Sequence, residues 1–134
     1  MRSAVDVKFW SPDSGFVIGG YAGNNLFYNG RSVVLFTSNG GQSFQRVYIS
    51  LTSQVNQWGW KIQFVNRQLG YIANENYNYG YYMKTTNGGM NWTQYNIPGQ
   101  ANFEGIGFLN ETTGWIGGWG TSYHMPTIET TNGG

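Results

Sequence analysis

One short polar motif occurs three times in this chain and constrains its fold more than any other feature. The octet TSNGGQSF at residues 37–44 returns as TTNGGMNW at residues 85–92, and its opening returns as TTNGG at residues 130–134. The spacing is 48 residues from Asn39 to Asn87 and 45 residues from Asn87 to Asn132. Self-similarity at this period indicates a repeat architecture in which each copy is one supersecondary unit.

A second motif precedes the first in every copy. FWSPDSGF at residues 9–16 matches FVNRQLGY at residues 64–71 and FLNETTGW at residues 108–115. Each begins with Phe, passes through a polar turn and ends in Gly followed by an aromatic residue. Two motifs that stay in phase through three copies are poorly explained by chance.

The composition favours an all-β fold. Aromatic residues make up 18% of the 134 residues and charged residues 10%, and the chain contains 21 glycines. No apolar 3.6-residue periodicity persists over a dozen positions, whereas short β-branched and aromatic runs are punctuated by Gly, Asn and Ser. We therefore predict strands at residues 5–10, 16–20, 32–36 and 43–49, at 60–65, 70–73, 81–85 and 91–97, and at 105–109, 114–118 and 126–130.

Four short antiparallel strands every ~45 residues are typical of a β-propeller blade. The prediction is one partial β-propeller over residues 1–134, with blades at residues 5–49 and 59–97 and an incomplete blade at 104–134, about 2.75 blades in all. The end blades would leave apolar faces uncovered. Three explanations are open. The chain is a segment of a longer propeller, or it self-associates to complete a ring, or the remainder of the propeller is disordered or its sequence is undetermined.

The octet has the chemistry of a tight turn. Asparagine can accept a backbone N–H two residues on, glycine adopts backbone angles that a Cβ forbids, and the aromatic residue after the turn can wedge between strands. We assign this structural role to Asn39, Gly40, Phe44, Asn87, Gly88, Trp92, Asn132 and Gly133.

These motifs carry a family resemblance that covers nearly the whole chain. The turn resembles the Asp-box, or BNR repeat, of sialidase-like propellers. The sequence TTNGGxxW is preceded by a motif that begins with Phe and ends in Gly followed by an aromatic residue. Together they are most similar to propellers of the photosystem II stability/assembly factor type. The resemblance implies a propeller fold, and it implies a parent protein that is secreted, periplasmic or at the cell surface, although this chain shows no signal peptide. It is less specific for function, since the Asp-box is a turn on which many activities are mounted.

Aromatic residues are unusually frequent in the predicted loops 19–31, 74–80 and 117–125 and in the connections 50–59 and 98–104. Aromatic rings flanked by amides suit a sugar, and they equally suit a protein interface. Propeller packing is the alternative explanation for many of them. The candidate ligand-binding residues are Tyr21, Tyr28, Trp58, Tyr77, Tyr79, Trp119, Tyr123 and His124.

The sequence offers little for catalysis. His124 is the only histidine and there is no cysteine, so we predict no metal site and no cofactor. A glycosidase needs two converging carboxylates. Asp6 with Glu104 is one conceivable pair, but no spacing requires it. The arginine cluster that the sialidase resemblance would imply is missing, because the arginines are scattered, and we assign no catalytic residue.

Charge and hydropathy restrict the kinds of partner that the chain is expected to bind. The formal net charge is +1 with seven Lys and Arg, which gives no footprint for nucleic acid. No apolar run approaches the ~18 residues that span a bilayer, so no membrane insertion is expected. A non-catalytic scaffold that binds a protein partner ranks first. A carbohydrate-binding module and a fragment of an Asp-box propeller glycoside hydrolase remain as alternatives.

Overall fold

The computed structural model describes residues 1, 3–22, 30–51, 57–76, 79–97, 102–120 and 127–134. Over these residues the chain forms strands and no helix. The strands are β1 (Ser3–Phe9), β2 (Gly15–Ala22), β3 (Gly30–Thr37), β4 (Gln45–Ile49), β5 (Gln57–Phe64), β6 (Gly70–Asn76), β7 (Gly80–Thr85), β8 (Thr93–Ile97), β9 (Phe103–Phe108), β10 (Gly114–Gly118) and β11 (Thr127–Thr130).

The strands make three sheets of consecutive antiparallel neighbours. Sheet 1 has the order β1-β2-β3-β4, sheet 2 has the order β5-β6-β7-β8, and sheet 3 has the order β11-β10-β9. The predicted all-β class is confirmed for the described residues. Each repeat of the sequence corresponds to one sheet.

Several predicted strand limits need correction, in two opposite directions. β2 runs on to Ala22, β5 begins at Gln57 and β6 runs on to Asn76, because backbone pairing continues into segments assigned to loops. At the other end of the sheets, β4 begins at Gln45 and β8 at Thr93, two residues later than predicted. Ser43 and Asn91 still belong to the turn, since their backbone N–H groups donate to Oδ1 of Asn39 and Asn87.

The three Thr-x-Asn-Gly-Gly turns share one hydrogen-bond pattern. In the first, the Thr37 hydroxyl donates to Asn39 Oδ1 over 3.0 Å and accepts the Gly41 N–H over 2.9 Å. The same two bonds recur from Thr85 and from Thr130. The prediction that the asparagine side chain accepts the backbone N–H two residues on is wrong, because the threonine hydroxyl accepts that N–H. In the first turn Asn39 Oδ1 accepts the Ser43 N–H, four residues on, because the threonine hydroxyl occupies the nearer position.

The two sequence motifs touch each other, which explains why they stay in phase. The Gly40 N–H donates to the Asp13 carbonyl over 2.8 Å, and the equivalent bonds join Gly88 to Gln68 and Gly133 to Thr112. Within the upstream motif the Phe ring folds over the Gly six residues later. A Cβ at Gly15, Gly70 or Gly114 would lie 2.5–2.7 Å from the ring of Phe9, Phe64 or Phe108. Each motif thus fixes one end of a sheet and couples its first strand to its third.

Sheet 1 packs on sheet 2, and sheet 2 packs on sheet 3. The first interface contains the larger core, formed by Phe16, Ile18, Val34, Ile62, Phe64, Ile72, Tyr81, Met83 and Trp92. The second is smaller, with Ala73, Phe103 and Ile116 buried and Tyr82, Ile97, Ile106 and Ile128 partly buried around them. Sheet 2 is therefore covered on both faces.

Candidate functional site

The predicted ligand-binding residues divide into three groups. Tyr28, Tyr77, Tyr123 and His124 lie outside the described residues. Trp58 and Tyr79 pack against the protein interior. Tyr21 and Trp119 are exposed to solvent.

Trp58 and Tyr79 are held by the first sheet interface. Trp58 lies in β5, not in a connection as predicted, and its ring covers Gly20 so closely that a Cβ there would overlap it. Tyr79 packs against the larger core, and its ring centroid lies 6.4 Å from that of Tyr81. Both contacts favour the packing explanation for these two residues.

Tyr21 and Trp119 offer open aromatic surface. Tyr21 is 45% exposed and lies in β2, which corrects its assignment to a loop, and Trp119 is 68% exposed just after β10. They occupy the same end of the second strand in sheets 1 and 3. Any ligand surface built from this set would depend on these two rings among the described residues.

A buried polar network lies near this end of sheets 1 and 2. The Tyr81 hydroxyl donates to Gln57 Oε1 over 2.8 Å, and the Ser32 hydroxyl donates to Asn74 Oδ1 over 2.7 Å. Burial raises the pKa of Tyr81 well above its ordinary value, so the phenol remains a donor. Because these groups satisfy one another inside the protein, they fix the two sheets together and do not present a binding site.

Asp6, one acid of the conceivable catalytic pair Asp6 and Glu104, is engaged elsewhere, and so is the neighbouring acid Glu75. Asp6 Oδ2 lies 3.1 Å from Lys61 Nζ and accepts the Ile62 N–H over 3.0 Å, which clamps β1 to β5. Glu75 Oε2 accepts the Trp60 indole N–H over 2.7 Å. Burial raises the pKa of Glu75, the Trp60 bond opposes that rise, and the nearby Glu104 charge adds to it. Asp6 therefore acts as a structural clamp.

The outer face of sheet 1, the face turned away from sheet 2, carries a row of bulky apolar side chains. Strand register places Val7, Val17 and Leu35 side by side, with Phe9 next to Val7 on the same face. Val7 is 56% exposed and Phe9 is 40% exposed. Val17 and Leu35 are half-buried and Val33 on the same face is buried, so the exposed part of this face, which we call the ridge, is centred on Val7 and Phe9.

The outer face of sheet 3 has the opposite shape. Register places Trp115 between Gly107 and Glu129, and the next row contains Gly105 and Gly117. A Cβ at Gly107 would meet nothing within 4 Å, and Trp115 is 36% exposed. The face is therefore a shallow recess with one large aromatic ring in it.

Sequence reasoning predicted that the end blades leave apolar faces uncovered, but it did not name the residues that form those faces. Phe9 and Trp115 lie on them, and they are the first and last aromatic residues of the repeated upstream motif. The aromatic residues between those ends, Phe16, Phe64, Tyr71 and Phe108, stack on one another across the interfaces within the chain.

In the part of the chain that the structure describes, no group of three or more His, Cys, Asp or Glu side chains converges to hold a metal ion. The described residues also include no helix with the length and apolarity needed to cross a membrane.

The comparisons with known proteins add no assignment. No protein-family model matches the chain, and no curated protein matches it.

Proposed function

We propose that this chain forms consecutive blades of a β-propeller of the BNR/Asp-box type that serves as a non-catalytic assembly scaffold, and that copies of the chain self-associate to complete its ring. The proposal is supported by the succession of equivalent antiparallel sheets, each closed by the same turn. It takes the resemblance to assembly-factor-like propellers as the guide to function.

One observation carries the proposal: each outer face exposes a large apolar side chain, Phe9 on sheet 1 and Trp115 on sheet 3. The ridge of sheet 1 offers Val7, Phe9 and Leu35, and the recess of sheet 3 offers Trp115 and a row of glycines. Exposed apolar surface of this kind usually marks an interaction site. A ridge on one end and a recess on the other suit a head-to-tail contact between copies.

The contacts inside the chain support the same pairing. Where sheet 2 meets sheet 1, Phe64 stacks on Phe16 with ring centroids 5.5 Å apart. Where sheet 3 meets sheet 2, Phe108 stacks on Tyr71 with centroids 3.8 Å apart. Phe9 is the counterpart of the two phenylalanines, and Trp115 is the counterpart of the rings that receive them. A second copy would let Phe9 stack on Trp115 in the same way.

The experiment is a measurement of solution mass by light scattering on the chain and on two face variants. Val7→Glu places a charge on the ridge and Trp115→Glu places one in the recess. Leu51→Glu is the matched control, because Leu51 is 68% exposed and lies outside both faces. We expect the chain and the control to associate, and each face variant alone to be monomeric.

Mixing the two face variants makes the test directional. Each retains one intact face, so the mixture should form a one-to-one dimer that neither variant forms alone. A monomeric chain at all concentrations would overturn the proposal. So would association abolished by only one of the two charges, since that result indicates a contact between like faces.

Carbohydrate binding is the second candidate, and the exposure of Trp119 favours it. An exposed ring can stack on the C–H face of a sugar while amides bond its hydroxyls. Saturable binding on a glycan array that is lost in Trp119→Ala and Tyr21→Ala would support this function. Binding that survives both changes would exclude this surface.

A glycosidase fragment is the third candidate. It would be supported by turnover of aryl glycosides that an acid-to-alanine variant abolishes. By the same family resemblance, we propose that the parent protein is secreted, periplasmic or at the cell surface. Detection of the protein in the exported fraction of its source cells would test that location, and retention in the cytosol would contradict it.

A further inference from the structure

An open groove of about 470 Å³ lies between β4 and β8, the fourth strands of sheets 1 and 2. Sheet 1 contacts sheet 2 mainly through β5, which meets β1, β2 and β3, so the gap at the opposite edge of the two sheets stays open. Because the groove separates two neighbouring repeats, it does not lie at an end of the chain. Ligand pockets in proteins usually have volumes of roughly 300–1,000 Å³. The groove is lined by Tyr48, Ile49, Leu51, Trp92, Thr93, Gln94 and Asn96.

One wall of the groove carries two amide side chains. Gln94 pairs with Met83 and Asn96 pairs with Tyr81, which places both amides on the face of sheet 2 that packs on sheet 1. Gln94 Nε2 donates to Asn96 Oδ1 over 2.8 Å. Gln94 is half-buried and Asn96 is exposed, so these amides border the groove and do not belong to the closed polar network around Tyr81.

The other wall offers a tyrosine hydroxyl to these amides. Tyr48 pairs with Val34, which places its ring on the face of sheet 1 that packs on sheet 2. The Tyr48 hydroxyl donates to Gln94 Oε1 over 3.5 Å, a long contact when O–H···O bonds usually span roughly 2.5–3.0 Å. The two walls are therefore only weakly bridged, and a ligand oxygen between them would find polar groups on both sides.

Trp92 adds a hydrogen-bond donor that the protein leaves unused. Its side chain lines the groove and is 9% exposed, and its Nε1 has no hydrogen-bond partner among the described residues. Buried donors without a partner are rare in native proteins, and each one requires an explanation. Phe44 holds the same position of the first repeat and has no such donor. The indole N–H of Trp92 therefore lacks an acceptor that a molecule entering the groove can supply.

We propose that this groove binds an uncharged sugar residue of a glycan. The Trp92 indole N–H donates to one sugar oxygen, and the Tyr48 hydroxyl and the two amides bond its hydroxyl groups. Sugar hydroxyls both donate and accept hydrogen bonds, as phenol and amide groups do. None of the described residues that line the groove carries a charge, so they offer no counter-ion to an acidic sugar. Leu51, which is 68% exposed, supplies apolar surface for the C–H groups.

This site is separate from the surfaces of the proposed function. It contains neither Phe9 nor Trp115, so it does not rest on self-association, and either inference can fail while the other stands. It also differs from the Trp119 surface, which follows β10 in sheet 3. Sugar binding at Trp119 alone would support the second candidate function and contradict the groove.

The first measurement is binding of the intact chain to a glycan array. The array carries neutral oligosaccharides of glucose, galactose, mannose, xylose and N-acetylglucosamine beside sialylated and sulfated glycans. We expect binding to neutral glycans, and the one with the highest signal is then titrated in solution by calorimetry. Binding to acidic glycans alone, or no saturable binding, would overturn the proposal.

The indole donor is tested by Trp92→Phe, which keeps an aromatic ring and removes the N–H. The affinity for the titrated glycan should fall at least about tenfold, which corresponds to about 1.4 kcal/mol. Asn96→Ala, at an exposed position outside the core, should also weaken binding, and it tests the same wall without changing the packing of the tryptophan. Circular dichroism verifies that both variants fold. Unchanged affinity in both would overturn the proposal.

Two tyrosine variants locate the groove. Tyr48→Phe removes a hydroxyl from its wall and should weaken binding of the titrated glycan several-fold. Tyr95→Phe makes the same change on the opposite face of β8, where the ring stacks on Tyr82, and should leave binding unchanged. Equal loss in the two variants would overturn the placement of the sugar.

Indole N–H resonances of the unmodified chain provide an independent readout. On addition of the titrated glycan, the Trp92 signal should shift together with the side-chain amide signals of Gln94 and Asn96. The Trp115 and Trp119 signals should stay in place. A shift at Trp119 without one at Trp92 would overturn the groove as the sugar site.

Discussion

The two interfaces between sheets use the same backbone devices but differ in how well they are filled. At the first, between sheets 1 and 2, Trp92 completes a core of nine buried residues. At the second, between sheets 2 and 3, a cluster of three residues and Tyr71 are buried, and a cavity of about 140 Å³ remains. The turns, the Phe-over-Gly contacts and the aromatic stacks recur in both. The repeated motifs thus set the spacing of the sheets, whereas one aromatic residue after the turn decides how closely the gap is packed.

Each interface also has a polar clamp between first strands, built from a different side chain. At the first, Asp6 accepts the Ile62 N–H. At the second, the Gln63 amide bonds both backbone groups of Phe108, donating to its carbonyl over 3.1 Å and accepting its N–H over 2.6 Å. The two clamps both join first strands, but they use different positions, because Asp6 is the counterpart of Lys61 and Gln63 is the counterpart of Lys8.

The largest expected effect is that of Trp92→Ala, which would make the first interface resemble the second. Removing a buried tryptophan costs about 3–5 kcal/mol in the free energy of unfolding. Urea denaturation measures it, with Phe44→Ala as the control, because Phe44 holds the same motif position but is exposed. Equal losses would contradict the comparison. Trp92→Phe should cost much less, since Trp92 Nε1 has no hydrogen-bond partner among the described residues.

The second prediction compares the same glycine in two turns. Gly89 and Gly41 have nearly the same positive φ, +89° and +86°. Alanine at either position costs about 1–2 kcal/mol from the left-handed backbone alone. A Cβ at Gly89 would also overlap the Phe16 ring of sheet 1, whereas at Gly41 the nearest atom is 3.5 Å away on Phe44. Gly89→Ala should therefore destabilise more than Gly41→Ala by thermal unfolding, and the reverse order would refute the packing of this turn.

A third prediction concerns the clamp of the second interface. Gln63→Ala removes two bonds to Phe108 and should lower the free energy of unfolding by about 1–3 kcal/mol. Gln42→Ala, at an exposed turn position, should change it by less than about 0.5 kcal/mol. If amide hydrogen exchange at Phe108 is unchanged in Gln63→Ala, the clamp does not protect that backbone.

The smallest effect is expected from Tyr71→Phe. The Tyr71 hydroxyl donates to the Gly133 carbonyl over 3.0 Å, and Lys84 Nζ donates to the same oxygen over 2.7 Å. Losing one neutral donor costs about 1 kcal/mol, since the lysine bond remains. Tyr21→Phe, at an exposed ring, is the control for denaturation at pH 7. A Tyr71 variant as stable as the control would show that the hydroxyl contributes nothing there.

Ionisation of Tyr71 is also expected to lower the stability of the folded protein at alkaline pH. Burial raises the pKa of Tyr71 from 10.0 to about 12, so the folded state favours the neutral phenol. The resulting stability is fully present below pH 10 and is lost as the pH rises toward 12. Tyr71→Phe should lose less stability than the unmodified chain over this window. The pKa values of Tyr48, Tyr81 and Tyr82 are also raised by burial, so the Tyr71→Phe variant should still lose some stability at alkaline pH.

The candidate surfaces show where sequence reasoning stopped. The alternation of apolar residues placed Val7 and Phe9 on one face of a strand, but it could not say whether another sheet covers that face. The sequence placed Tyr21 in the predicted loop 19–31 and Trp58 in the predicted connection 50–59. In the structure Gly20 lies within β2. Its lack of a Cβ allows the Trp58 ring to pack directly against the strand.

What the sequence by itself determined is local. The Thr-x-Asn-Gly-Gly turn closes through bonds among residues within four positions of one another, and its glycines adopt positive φ whatever the neighbouring sheet does. The period of the repeat therefore predicted one all-β unit per copy. The tertiary structure decided which rings are covered, because burial depends on the sheet stacked alongside. Phe16 and Tyr71 are enclosed by the next turn, while Trp115 of the same motif lies open to solvent.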